Sequence, residues 1–379
     1  MNFKTHKNAC LSVILVILST LQIASGVQYN ITDLGTLGGT DSWAFGINDS
    51  GQIAGWARIS DGSARAFLYQ NGQMTNLGTL GGTHSYAFGI NANGQIIGRS
   101  HTTSDAAQHA FLYTNGQMSD LGTLGGNSWS EAHGINSQGQ VVGFSYTSSG
   151  QIHGFLYSEG QMTDIGTLGG TYSEGNWIND SGQIVGASYN SGSGYPHAFI
   201  RNPDGTKTDL GTLGGLQSYA NFINNDGLIV GRAQTASGAW HPFLYSGGQM
   251  TDLGTLGGTN GEASMISGDT IIGEADIPAG VKHAFMYKDG IMTDLNTLLP
   301  QGTGWELKYA MSMNTLGQIV GSGTINGQTH AFLMTPIPEC VQPPNGDLNG
   351  DCKVDFQDFA VMAGEWLDCG LEPPGACNQ

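Results

Sequence analysis

Thr32-Asp33-Leu34-Gly35-Thr36-Leu37-Gly38-Gly39 decides the fold, because the chain returns to it six more times. Its third residue recurs at Leu77, Leu121, Ile165, Leu210, Leu253 and Leu295, in steps of 43, 44, 44, 45, 43 and 42 residues. A period of this length marks a repeat architecture: β-solenoid coils are shorter, whereas four-stranded propeller blades run to about 40–50 residues.

Within one period the residues read as four strands. In the second unit these are Ser85 to Asn91, Gln95 to Ser100, His109 to Tyr113 and Gln117 to Thr123. Asn91-Ala92-Asn93-Gly94 joins the first two and Asn115-Gly116 the last two. Both connections are hairpin chemistry, since Asn tolerates the left-handed region and Gly supplies positive φ without steric cost. No helical periodicity precedes Pro336. The expected fold is therefore all-β, a seven-bladed β-propeller of four-stranded antiparallel blades. Tyr29 to Leu34 matches the fourth strand of a unit, and His330 to Met334 matches the third. Pairing them closes the ring with strands from both termini and removes an open sheet edge.

The tripeptide His109-Ala110-Phe111 returns as His197-Ala198-Phe199, His283-Ala284-Phe285 and His330-Ala331-Phe332. Its variants are Arg65-Ala66-Phe67, His153-Gly154-Phe155 and His241-Pro242-Phe243. On these residues the chain from 29 to 335 resembles the extracellular HAF-repeat proteins. The resemblance implies an exported repeat protein and brings no established activity with it.

Residues repeated in every copy serve what every blade needs. Phe111, Leu112, Ile90 and their equivalents are read as core. Gly-Gly pairs such as Gly81-Gly82 are read as sites of close backbone approach between blades; they precede a strand, so a phosphate cradle at a helix N-terminus does not apply. His109, His153, His197, His241, His283 and His330 have two readings. One is a metal-binding ring; the other, preferred because equivalent residues lie a blade apart, is an imidazole hydrogen-bonded within its own blade. Arg65, in the seventh place, fits a hydrogen-bond donor and not a ligand.

One position varies where its neighbours repeat. It reads Trp43, Tyr86, Glu131, Glu174, Tyr219, Glu262 and Tyr309. With the first strand of each unit innermost, these side chains gather at one mouth of a central channel. Aromatic faces beside carboxylates suit a sugar ring or a cationic ligand. The plainer alternative is packing between blades by Trp and Tyr, with solvated Glu. There is no recurrent Ser-His-Asp arrangement and no His-Glu-x-x-His; Glu131 and Glu174 are the one pair with the makings of a glycosidase acid and base.

The ends carry other signals. Lys4, His6 and Lys7 precede the apolar stretch Ala9 to Ile23, and Ala24-Ser25-Gly26 offers a cleavage site, so residues 1–26 read as a signal peptide. The remainder has 10 Lys and Arg against 30 Asp and Glu, a net charge of −20 that disfavours nucleic acid and anionic lipid as partners. Four cysteines, Cys340, Cys352, Cys369 and Cys377, crowd the last forty residues, which in an exported protein implies two disulfides with three possible pairings.

Residues 336–346, with Pro336, Pro338, Pro343 and Pro344, form a stiff linker to a module at 347–379. Asp347, Asn349, Asp351, Asp355 and Asp358 stand at positions 1, 3, 5, 9 and 12 of a twelve-residue loop, and Lys353 offers its carbonyl at position 7. That is EF-hand spacing, and calcium is the expected cofactor. Cys352 replaces the usual turn glycine and Asp358 the usual bidentate Glu. Phe356, Phe359, Ala360, Ala363, Trp366 and Leu367 then recur at helical spacing. Residues 347–367 resemble half of a type I dockerin, which implies calcium binding by the residues named and a cohesin-like partner; Phe356-Gln357 departs from the small hydroxyl residues that dockerins often use for that contact.

Three readings of function follow. The first is a secreted, extracellular or cell-surface binding or scaffold propeller for a glycan or cell-surface ligand, attached through its calcium tail. The second is a polysaccharide-active hydrolase or lyase using channel-mouth glutamates. The third is a purely structural surface protein.

Overall fold

Alternating apolar and small residues between Gly-rich turns make every unit a run of short antiparallel strands. In the second unit the strands are Gly81–Ile90, Ile96–Thr102, Gln108–Thr114 and Gln117–Asp120, paired in that order. This is a computed structural model that describes residues 27–192, 194–337, 346, 348, 354 and 356–368, without the side chains of Asn127 and of residues 364–368. Asn115 and Gly116 have φ of 51° and 81°, the positive pair that a two-residue hairpin requires.

Two boundaries differ from expectation by three or more residues. The first strand begins at Gly81, four residues earlier than its apolar pattern shows. A Cβ on Gly82 would lie 2.5 Å from the Thr102 carbonyl oxygen, so the glycine permits close approach within its own unit and not between units. The fourth strand ends at Asp120, whose carboxylate accepts from the Gly122 amide at 2.7 Å.

The core lies between neighbouring units. Phe67, Phe111, Phe155, Phe199, Phe243, Phe285 and Phe332 are fully buried, one per unit. Phe111 packs with Ile90 and Ile96 of its own unit and with Ala54 and Ala66 of the preceding one. Phe67 packs in the same way against Val320 and Ala331, from the far end of the chain. Leu112 is only half-buried and leans on the next unit's cluster.

Hydrogen bonds stitch the same junctions. The Ser85 hydroxyl donates to the Gly78 carbonyl at 2.6 Å and accepts from the Ala66 amide at 2.9 Å. Ser130, Ser173 and Ser218 accept likewise from Ala110, Gly154 and Ala198, and Ser42 from Ala331 at 2.8 Å. Between the fifth and sixth units both partners are replaced: Pro242 has no amide hydrogen, and Gly261 has no hydroxyl.

The histidines take the structural role. Nδ1 of His109, His153, His197, His241 and His283 pairs with Asp120, Asp164, Asp209, Asp252 and Asp294 at 2.6–2.8 Å. His330 pairs with Asp33 at 2.9 Å, from the other end of the chain. Arg65 donates to the Ala64 and Thr83 carbonyls, and the aspartate of that unit has become Asn76.

At the termini, Tyr29–Asp33 pairs antiparallel with Gln328–Pro336, from Tyr29 opposite Pro336 to Asp33 opposite Phe332. That strand runs one residue past the expected start of the linker. The tail contributes a helix at Phe356–Asp368. Among the described residues no helix is long and apolar enough to cross a membrane. Residues 1–26 and the four tail cysteines lie outside the described residues.

Candidate binding site at the channel mouth

Residues at the ends of the first strands of all seven units line one common space. It is a cavity of about 350 Å³, rimmed by Asn48, Asn91, Asn136, Asn179, Asn224 and Asn314. The Asn48, Asn91, Asn136 and Asn179 side-chain amides each donate to the backbone carbonyl of the next asparagine at 3.0–3.2 Å, and Asn314 donates to Asn48 at 3.2 Å. Across Trp177, Phe222 and Met265, which line both spaces, lies a second cavity of about 190 Å³; of the seven variable residues Glu262 lines it and the other six do not.

All seven of those residues stand on first strands, and the structure links them into a belt with two unlike walls. One wall is aromatic. Trp43 lies 5.3 Å from Tyr309, 6.1 Å from Trp56 and 6.5 Å from Phe45, centroid to centroid; Trp56 meets Tyr86, and Phe45 meets Phe88, each at 5.4 Å. The other wall is polar and hydrogen-bonded. Glu131 receives Arg99 at 2.7 Å and His133 at 3.1 Å, and His133 reaches Asn176 at 3.2 Å. Glu174 accepts from the Tyr172 hydroxyl at 2.5 Å and from Asn176 at 3.4 Å, while Glu262 accepts from Asn221 at 2.7 Å and Arg232 at 2.9 Å. Tyr219 lies under the Arg232 guanidinium at 4.9 Å.

This changes the electrostatics expected from composition. Glu131 is buried and ion-paired, and Glu262 is ion-paired too, so neither is a solvated charge awaiting a cation. Arg99 over Tyr86 at 4.8 Å already occupies the place a cationic ligand would take on that ring. Burial opposes ionisation of Glu131, but His133 and Arg99 outweigh it and hold the carboxyl below its ordinary value. His133 likewise gains more from Glu131 than burial removes, and its pKa is raised. Burial and the adjacent Glu174 push the Tyr172 hydroxyl far up, so it stays a hydrogen-bond donor.

Two sets of residues escaped the sequence reading. Phe45, Phe88, His133, Asn176, Asn221, Ser264 and Met311 lie two places further along the same strand face and line the channel. Trp56, Arg99 and Arg232 stand opposite Trp43, Tyr86 and Tyr219 on the second strands. For the second-strand set the signal was present: Trp56, Arg99 and Arg232 each follow a glycine repeated in every unit, and that place varies as freely as the one singled out.

In the tail, Asp347, Asn349, Asp351, Lys353 and Asp355 lie outside the described residues. Asp358 is buried and accepts from the Leu348 amide at 2.8 Å, tying position 12 of the loop to position 2. Phe356 and Phe359 are exposed, with ring centroids 6.4 Å apart.

No family model matches the chain, and no curated protein matches it. Solved structures do. The β-propeller domain of the Trilobed protease from Pyrococcus furiosus, described as having an open velcro topology, aligns at TM-score 0.51 and 10% identity over 83% of this chain and 100% of that one. Oligogalacturonate lyase from Vibrio parahaemolyticus aligns at TM-score 0.50 and 11% identity over 84% and 96%. At such identities the likeness shows the fold alone: an all-β chain of the propeller type.

Proposed function

We propose that the chain is a secreted seven-bladed propeller that binds a glycan at its channel mouth without turning it over, and that its calcium-loaded, dockerin-like tail attaches or assembles it. The observation that carries the binding reading is the two-walled belt. A pyranose has an apolar face of C–H groups and a rim of hydroxyls. The Tyr309–Trp43–Tyr86 wall suits the face, and the Glu131, Glu174 and Asn221 wall suits the rim, whose hydroxyls donate to the carboxylates and to the Asn221 amide oxygen.

Several features support a closed ring of seven blades, in contrast to the open topology of the Pyrococcus domain. These are the pairing of Tyr29–Asp33 with Gln328–Pro336, the Ala331–Ser42 and Asn314–Asn48 hydrogen bonds, and the shared Phe67–Val320 core. Asp358 held against the loop supports calcium as the tail's cofactor, with Asp347, Asn349, Asp351, Asp355 and the Lys353 carbonyl as its other ligands.

A glycan array probed with the chain from residue 27 tests the reading. Saturable binding to a polysaccharide class is expected, without release of reducing ends or unsaturated sugars, and it should be lost on replacing Trp43, Tyr86 and Tyr219 together with Ala. Binding retained by the triple variant moves the site elsewhere. Turnover that Glu131→Gln or Glu174→Gln abolishes makes the chain an enzyme instead.

A further inference from the structure

A space borders the junction of the fifth and sixth units, where the serine stitch is missing. Where Pro242 and Gly261 replace the amide and the hydroxyl, a cleft of about 230 Å³ opens, lined by Arg232, Trp240, Glu262, Glu274, Asp276 and Lys282. Glu262 also lines the channel cavity, so the two spaces share a wall. Trp240 supplies the apolar surface, with the Arg232 guanidinium 5.0 Å from its ring centroid.

The charges in this cleft are matched among themselves. Arg232 pairs with Glu262 at 2.9 Å, Lys282 pairs with Glu274, and Asp276 accepts from the backbone and side chain of Asn260, both at 3.1 Å. Hydrogen-bonding capacity is left over: Arg232 Nε is buried with no partner among the described residues, and an ammonium such as that of Lys282 carries three donors.

We propose that this cleft is a second saccharide subsite, which takes a neutral hexose-sized ring of the same chain that enters the channel mouth. The proposal rests on the glycan reading of the mouth. A hydroxyl donates to a carboxylate and accepts from a guanidinium or ammonium at once, so a neutral polyol uses both halves of each ion pair without unbalancing them. A uronate adds a negative charge where both cations are already matched and Asp276 is in excess, on a chain of net charge −18. On reaching either cation its carboxylate stands beside Glu262 or Glu274, and that like-charge contact disfavours it.

Calorimetric titration with gluco-, manno- and xylo-oligosaccharides of two to six units, and oligogalacturonides of the same lengths, tests the proposal. In one neutral series, affinity should rise roughly tenfold once the oligomer is long enough to span both spaces. Trp240→Ala and Lys282→Met should each remove that rise while leaving the Kd of the shortest bound oligomer unchanged, with melting temperatures confirming that both variants fold. A rise untouched by either substitution, or no rise with length, overturns the subsite while the mouth reading stands. Tighter binding of oligogalacturonides at equal length overturns the neutral assignment. Failure of every series to bind overturns the mouth reading and the subsite with it.

Discussion

At the scale of single residues, the Glu131–His133 pair gives the channel mouth a defined pH window. His133 has a raised pKa, so its contribution to stability is complete below the ordinary imidazole value of 6.5 and is lost as pH rises through the raised one. Glu131 is lowered, so its contribution is complete above the ordinary 4.5 and is lost as pH falls through the lowered value. The pair therefore stabilises the mouth across the whole span from 4.5 to 6.5 and somewhat beyond each end. NMR titration should find the His133 midpoint above 6.5, moving down in Glu131→Gln; a wild-type midpoint at or below 6.5 contradicts the pairing. In the tail, Asp358 both accepts from Leu348 and stands at the last position of the proposed calcium loop. Calorimetry on EDTA-stripped protein should show one calcium site that Asp358→Ala weakens at least tenfold, since an oxygen that would bind the ion and the Leu348 tether are lost together. Equal affinity in the variant would remove Asp358 from the site.

At the scale of strands and junctions, the serine stitch explains why the units stack in register. Ser85→Ala leaves the buried Ala66 amide without its acceptor, and a destabilisation of about 1–3 kcal/mol is expected in urea denaturation. Ser85→Thr, which keeps the hydroxyl, should cost less. The Pro242–Gly261 exchange gives a sharper test. Pro242→Ala adds an amide with nothing opposite, and Gly261→Ser sets a Cβ 3.1 Å from Pro242 Cδ, so each single change should destabilise. The double variant restores the stitch found at five other junctions and should be more stable than the summed singles by about 1 kcal/mol. Strict additivity would mean the two replacements are unrelated. The serines were legible as repeated residues, but their partners were not. Pro242 and Gly261 are nineteen places apart on different units, and no local pattern joins them until the units stack.

At the scale of the whole molecule, the two ends of the chain are joined by the Tyr29–Asp33 strand, the His330–Asp33 pair and the bond from the Leu34 amide to the Ala331 carbonyl at 3.0 Å. Deleting Thr329 to Thr335 removes the partner of the N-terminal strand and exposes sheet edges on both sides. The melting temperature should fall far more than after deletion of an exposed turn of equal length. An unchanged melt would mean that the ends contribute nothing and that the array is open.

The period of the glycine-rich octapeptide, the turn chemistry of Asn115-Gly116 and the buried Phe of each unit were readable in one dimension, because strand alternation and hairpin dihedrals are local properties that seven copies reinforce. So was the variable position from Trp43 to Tyr309, since repetition separates what every unit needs from what only one unit uses. Tertiary structure alone decided which neighbours those residues have. Arg99 comes from the second strand of one unit and Glu131 from the first strand of the next, 32 residues apart, and only stacking brings them to 2.7 Å. The same stacking gathers Trp43 and Tyr309, from opposite ends of the chain, into the aromatic wall, and leaves the cleft beside Gly261. Pattern is a property of the chain, whereas complementarity between unlike neighbours exists only after the units pack on one another.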